Sequence, residues 1–80
     1  MIDKHILEKY SMKPLDGYFK DFGKSRNTEI GFYQTFLMQT DYLSYKLAEG
    51  LITKEDKAEE FEARQFCRDE INRLESEENK

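Results

Sequence analysis

His5 is the only imidazole in the sequence and Cys67 the only thiol. Nucleophilic catalysis needs a Ser or Cys beside a base, and here the base would have to come from the far end of the chain. No local signature joins them, so His5 reads as an exposed surface histidine. Cys67 falls in a helical row with Ala63, Ile71 and Leu74, where a thiol behaves as a small hydrophobe. One Cys and one His cannot assemble the roughly four ligands of a structural zinc site, so no metal and no cofactor is expected. Glu59, Glu60 and Glu62 do not converge on one point of a helix and therefore offer no paired-carboxylate acid/base site. They read as a solvated face, and no enzymatic activity is expected.

Gly17-Tyr18-Phe19-Lys20-Asp21-Phe22-Gly23-Lys24-Ser25 superficially resembles a phosphate-binding Walker loop, but five residues separate its glycines instead of four and three of them are bulky aromatics. Just beyond it, Lys24, Ser25 and Arg26 precede a helix start at Asn27 or Thr28. Free backbone N–H groups and the helix dipole would favour an anion there, which makes these three candidate anion contacts and Lys24 to Asn27 a candidate ligand loop.

The elements that must position these groups are helical. In residues 28–49, Tyr33, Phe36, Thr40, Leu43 and Leu47 recur at steps of three and four, an amphipathic stripe on a helix with no Pro. Gly50 ends it as a residue that tolerates positive φ. Residues 50–53 form the turn. Thr53 caps a second helix, 54–77, with Asp56 reaching back to it. The two helices are expected to pack antiparallel, with Glu60–Arg64 and Asp69–Arg73 as surface i, i+4 pairs. Residues 78–80 are expected to fray. Upstream, Ile2, Ile6, Leu7 and Tyr10 predict a short helix ending before Pro14, and Leu15 to Gly23 reads as an irregular aromatic loop between turn-forming glycines. The expected fold is all-α: one domain over residues 1–80, a helical hairpin with a short N-terminal helix and aromatic loop (1–27) packed against it.

On the first long helix a second apolar row, Met38, Tyr42 and Tyr45, faces away from the stripe. Two readings are open. Residues 1–27 cover it as core, or it meets a protein partner or a second copy of the chain in a homodimer, since Tyr and Met are enriched at interface centres.

Composition narrows the partners. Of 80 residues, 38% are charged and 38% hydrophobic, and mean hydropathy is -0.91, so no membrane-spanning stretch is expected. With no apolar leader in Met1 to His5, the chain is expected in the cytoplasm. Residues 1–50 balance seven acidic against seven basic side chains. Residues 51–80 hold ten against six, so the whole net charge of -4 lies there. A pI near 5.0 speaks against direct nucleic-acid binding, which depends on Lys and Arg neutralising phosphates. The acidic face formed by Glu55, Glu59, Glu62, Asp69 and Glu70 could instead imitate a phosphate array and occupy the basic groove of a nucleic-acid-binding protein.

From Gln39 to Glu75, the segments Thr40-Asp41-Tyr42, Lys46-Leu47-Ala48-Glu49-Gly50, Thr53-Lys54-Glu55-Asp56, Arg64-Gln65 and Arg68-Asp69-Glu70-Ile71-Asn72-Arg73-Leu74-Glu75 resemble a pattern of small bacteriophage and prophage proteins, including C-terminal segments of proteins encoded near tail genes. The resemblance implies a phage origin, a host-cell cytoplasmic location and a helical accessory role, with no catalytic site to transfer. In that setting the acidic face would suit an inhibitor of a host nucleic-acid-binding protein such as a defence nuclease.

Overall fold

A computed structural model describes residues 5–78, with side chains to Glu77. Among them lie four helices and no strand: α1 (His5–Ser11), α2 (Leu15–Phe22), α3 (Arg26–Ala48) and α4 (Ala58–Glu78). The fold is all-α as expected, and α3 with α4 makes its hairpin. Arg64 reaches Thr40, Tyr33 meets Phe66 and Arg73 approaches Glu29, so position rises along one helix as it falls along the other. Ile2, placed by the sequence in the first helix, and Asn79 and Lys80 of the expected frayed tail lie outside the described residues. Glu75 to Glu78 are helical, with Arg73 Nη1 donating to Glu77 Oε1 at 2.8 Å.

The expected aromatic loop is instead a helix. Leu15, Tyr18, Phe19 and Phe22 are spaced i, i+3, i+4, i+7, the spacing of one helical face. Pro14, at φ -71 and ψ 166, starts that helix, and Gly17 sits within it. Only Gly23, at φ +93, provides the turn that two glycines suggested. Between α1 and α2 the turn is made by Met12, a non-glycine residue at φ +71.

Helix α3 opens two residues before 28. Ser25 is its N-cap, with Oγ accepting the Thr28 N–H at 3.1 Å. At the other end, Gly50 (φ +76) donates to the Leu47 carbonyl at 3.1 Å while Leu51 donates to Lys46 at 2.9 Å, the paired bonds of a Schellman motif. Thr53 and Asp56 exchange the expected reciprocal bonds, at 2.8 and 3.3 Å. The regular helix nevertheless begins at Ala58 rather than 54, because Lys54, Glu55, Asp56 and Lys57 offer no apolar side chain to hold that turn against α3.

Most of the predicted stripe is core: Phe36 and Thr40 are fully buried and Leu43 and Tyr33 nearly so, while Leu47 is only half-buried, and Ala63, Cys67 and Leu74 of α4 form one cluster with Tyr33 and Phe36. Helix α1 lies across α3 and α4, and α2 lies on α3. Edge-on aromatic contacts tie the layers, Tyr10 to Phe36 at 5.5 Å between centroids, Tyr18 to Phe32 at 5.1 Å and Tyr33 to Phe66 at 6.0 Å. Among the described residues no helix is long and apolar enough to cross a membrane.

Two surface pairs expected on α4 are replaced. Glu60 and Arg64 turn inward: the Arg64 guanidinium donates to the Leu37 carbonyl (2.8 Å), Thr40 Oγ1 (2.7 Å) and Asp41 Oδ1 (3.0 Å), and Glu60 accepts the Tyr10 hydroxyl at 3.0 Å. Arg73 pairs with Glu70 and Glu77, while Asp69 accepts from Gln65. Thr40 explains the first change, since a hydroxyl within an apolar stripe gives a long cation a reason to enter the core.

Candidate interaction surface

Helices α1, α2 and α4 pack on the side of α3 that carries Phe32 and Phe36, and beyond Met38 the residues Gln39, Asp41, Ser44, Lys46 and Ala48 are exposed as well. The outer side carries Asn27, Gly31, Thr35, Met38, Tyr42 and Tyr45, at successive steps of four, four, three, four and three, which is one straight stripe on a helix. Its C-terminal half is apolar and open to solvent: Met38 is 64% exposed, Tyr42 47% and Tyr45 65%. Among the described residues, 5–27 therefore do not cover the row, and residues 1–4 of the expected cover lie outside them. The reason is visible in where their aromatics go. Tyr10 packs on Phe36 and Tyr18 on Phe32, both on the core side, and Phe22 stays 68% exposed.

Within the row, Lys46 Nζ lies 5.5 Å from the centre of the Tyr42 ring. Burial, then the bond to Glu60, pushes the Tyr10 hydroxyl above the ordinary tyrosine range. Burial and the bond to Glu29 do the same at Tyr33. Both phenols stay protonated donors. In the N-terminal half of the stripe the surface falls away into an open groove of about 410 Å³, lined by Tyr18, Phe22, Asn27, Thr28, Gly31 and Thr35. Sequence reasoning missed this groove, though its signal was present: Gly31 on the same face as Met38 and Tyr42 leaves the helix backbone uncovered.

The other candidates fare differently. Lys24, Ser25 and Arg26 do surround one shallow depression, but Glu29 and Glu77 line it too, and the Ser25 hydroxyl is engaged in capping with Thr28. Glu55, Glu59 and Glu62 are exposed, with Glu55 in the turn preceding α4. Asp69 and Glu70 are tied to Gln65 and Arg73, and Arg68 and Arg73 interrupt the acidic face. His5 is exposed, its Nδ1 3.4 Å from Glu8. Cys67 is fully buried, and burial pushes its thiol up to about 12 despite the opposing pull of Arg64 and Arg68, so it stays un-ionised. Among the described residues no three His, Cys, Asp or Glu side chains are grouped to hold a metal ion. Gly50 and Thr53 serve the turn. No family model, curated protein or solved structure matches this chain.

Proposed function

We propose that the chain is a non-enzymatic protein-interaction module that engages a protein partner through the outer face of α3. The accessory role implied by the likeness to small phage proteins, exercised in the cytoplasm of a host cell, is consistent with this reading. The observation that carries it is the exposure of Met38, Tyr42 and Tyr45 together on a helix whose opposite face is core. Large side chains of this kind on a rigid element bind a partner at low ordering cost, because little freedom remains to be lost. The test is capture from bacterial lysate by immobilised protein. Met38→Glu should release the captured partner and Asn72→Glu, on the outer side of α4, should not. Equal capture by both variants would refute the assignment.

A second reading, inhibition of a basic, nucleic-acid-binding host protein, is supported by the exposure of Glu55, Glu59 and Glu62 and by the location of the whole net charge in residues 51–80. It ranks second because Arg68 and Arg73 break that face. A complex of this kind would weaken steeply between low and high salt, whereas an apolar α3 contact would not.

A further inference from the structure

We infer that the outer face of α3 is self-complementary, and that a second copy of this chain docks on it antiparallel with its Tyr42 seated over Gly31. The inference rests on the interaction reading above and names the occupant. The stripe has two unlike halves. Toward its C-terminus stand the protruding Met38, Tyr42 and Tyr45, and toward its N-terminus lies the open groove over Gly31, walled by Tyr18 and Phe22 of α2. A Cβ placed on Gly31 would meet nothing within 4 Å, so the groove floor is open to an incoming ring.

Protrusion and groove share one helix face, and Gly31 and Tyr42 stand about 16 Å apart along it at 1.5 Å per residue. A two-fold axis passing between Phe36 and Leu37 therefore places Tyr42 of each copy over Gly31 of the other, Met38 over Thr35 and Tyr45 over Thr28, each contact made twice. The same register sets the C-terminal end of each α3 beside the N-terminal end of the other copy's α3. It also sets the two helix dipoles antiparallel, each N-terminus beside the other's C-terminus, so charge and shape favour one arrangement. At about 200 Å² for a full side chain of this size, the exposed parts of Phe22, Met38, Tyr42 and Tyr45 amount to about 500 Å² per copy. A standard interface needs about 800 Å² per partner, and Asn27, Gly31 and Gln34 contribute toward the rest. Such a surface gives a reversible dimer with a Kd of about 10–100 µM.

Sedimentation velocity from about 5 to 500 µM, spanning that Kd range, tests it with a variant that leaves the monomer intact. Gly31→Leu projects into the groove from a position where a Cβ meets nothing within 4 Å, and it improves helix propensity. The expected result is a wild-type dimer, a Gly31→Leu chain that is monomeric throughout, and a thermal midpoint for that variant equal to or above wild type. Spin labels on Ala48→Cys should then lie about 35 Å apart along the axis in the antiparallel dimer, against under about 20 Å in a parallel one. A wild type monomeric at the highest concentration, a dimer indifferent to Gly31→Leu, or the short label distance would each overturn the inference. A monomeric wild type that still loses its captured partner on Met38→Glu removes the second copy and keeps the interaction face. A dimer indifferent to both Gly31→Leu and Met38→Glu removes the face from self-association as well.

Discussion

Arg64 is the polar joint of the hairpin, and replacing it with methionine measures what that joint contributes. Its side chain is nearly buried and its three acceptors all belong to α3. Hydrogen bonds to a charged group contribute about 1.5–3 kcal/mol each. Several effects reduce the total. The Asp41 carboxylate is 68% exposed, so that pair behaves as a surface pair worth about 0–1 kcal/mol. Thr40 keeps its bond to the Phe36 carbonyl at 2.8 Å and the Leu37 carbonyl its place in the α3 ladder, so neither is orphaned. Methionine also relieves the desolvation of the guanidinium while retaining most of its packing. What remains is a loss of about 2 kcal/mol, a large part of the roughly 4–12 kcal/mol expected for 80 residues. Urea denaturation followed by helical circular dichroism should move its midpoint down by about 1–2 M, at a slope of about 1–2 kcal/mol/M. Thr40→Val should cost about 1 kcal/mol and Asp41→Asn less, with positive coupling between the Arg64 and Thr40 changes in a double-mutant cycle. Arg64→Met at or above wild-type stability would show that desolvation outweighs the bonds and that apolar packing alone holds α4.

Gly50→Val should cost about 1 kcal/mol or more, because Gly50 stands at φ +76 in the Schellman turn; an unchanged urea midpoint would refute that role. Met12→Gly should raise stability by about 1 kcal/mol by removing a left-handed non-glycine residue, and a lower midpoint would show that unfolded-chain entropy dominates. Cys67 is raised from its ordinary 9.0 to about 12, so between these values the unfolded chain releases a proton that the folded chain keeps. Its contribution is therefore full below pH 9 and is lost as pH rises toward 12, with Tyr10 and Tyr33, both also raised, acting in the same direction. Denaturation midpoints should fall across that range, and a thiol reagent at pH 8 should label Cys67 only after urea is added. Rapid labelling of the folded protein would contradict its burial.

What was legible in the sequence was the hairpin. Tyr33, Phe36, Thr40, Leu43 and Leu47 carried a helical period long enough to be unambiguous, and Gly50 and the Thr53–Asp56 pair marked its turn. Helix α2 was not legible because two glycines within nine residues looked like two turns, and only the backbone distinguishes a helical Gly17 from a turning Gly23. Local spacing cannot tell Glu60 and Arg64 from a surface pair, because i, i+4 spacing is equally compatible with both facing inward, and their partners Tyr10, Thr40 and Leu37 lie 24 to 50 positions away. The Met38, Tyr42 and Tyr45 row was visible as a row. Whether residues 1–27 cover it depends on which side of α3 receives α1 and α2, which local spacing does not encode.

Methionine methyl NMR reports on the outer face of α3 itself, because Met38 lies on it while Met12, 92% exposed between α1 and α2, is an internal control far from it in sequence. As the chain is concentrated, or as a captured partner is added, the Met38 methyl resonance should shift or broaden progressively while that of Met12 holds still. A complex that forms while Met38 stays unmoved, or that moves Met12 as much as Met38, would contradict the assignment of the outer face of α3 as the surface through which this protein acts.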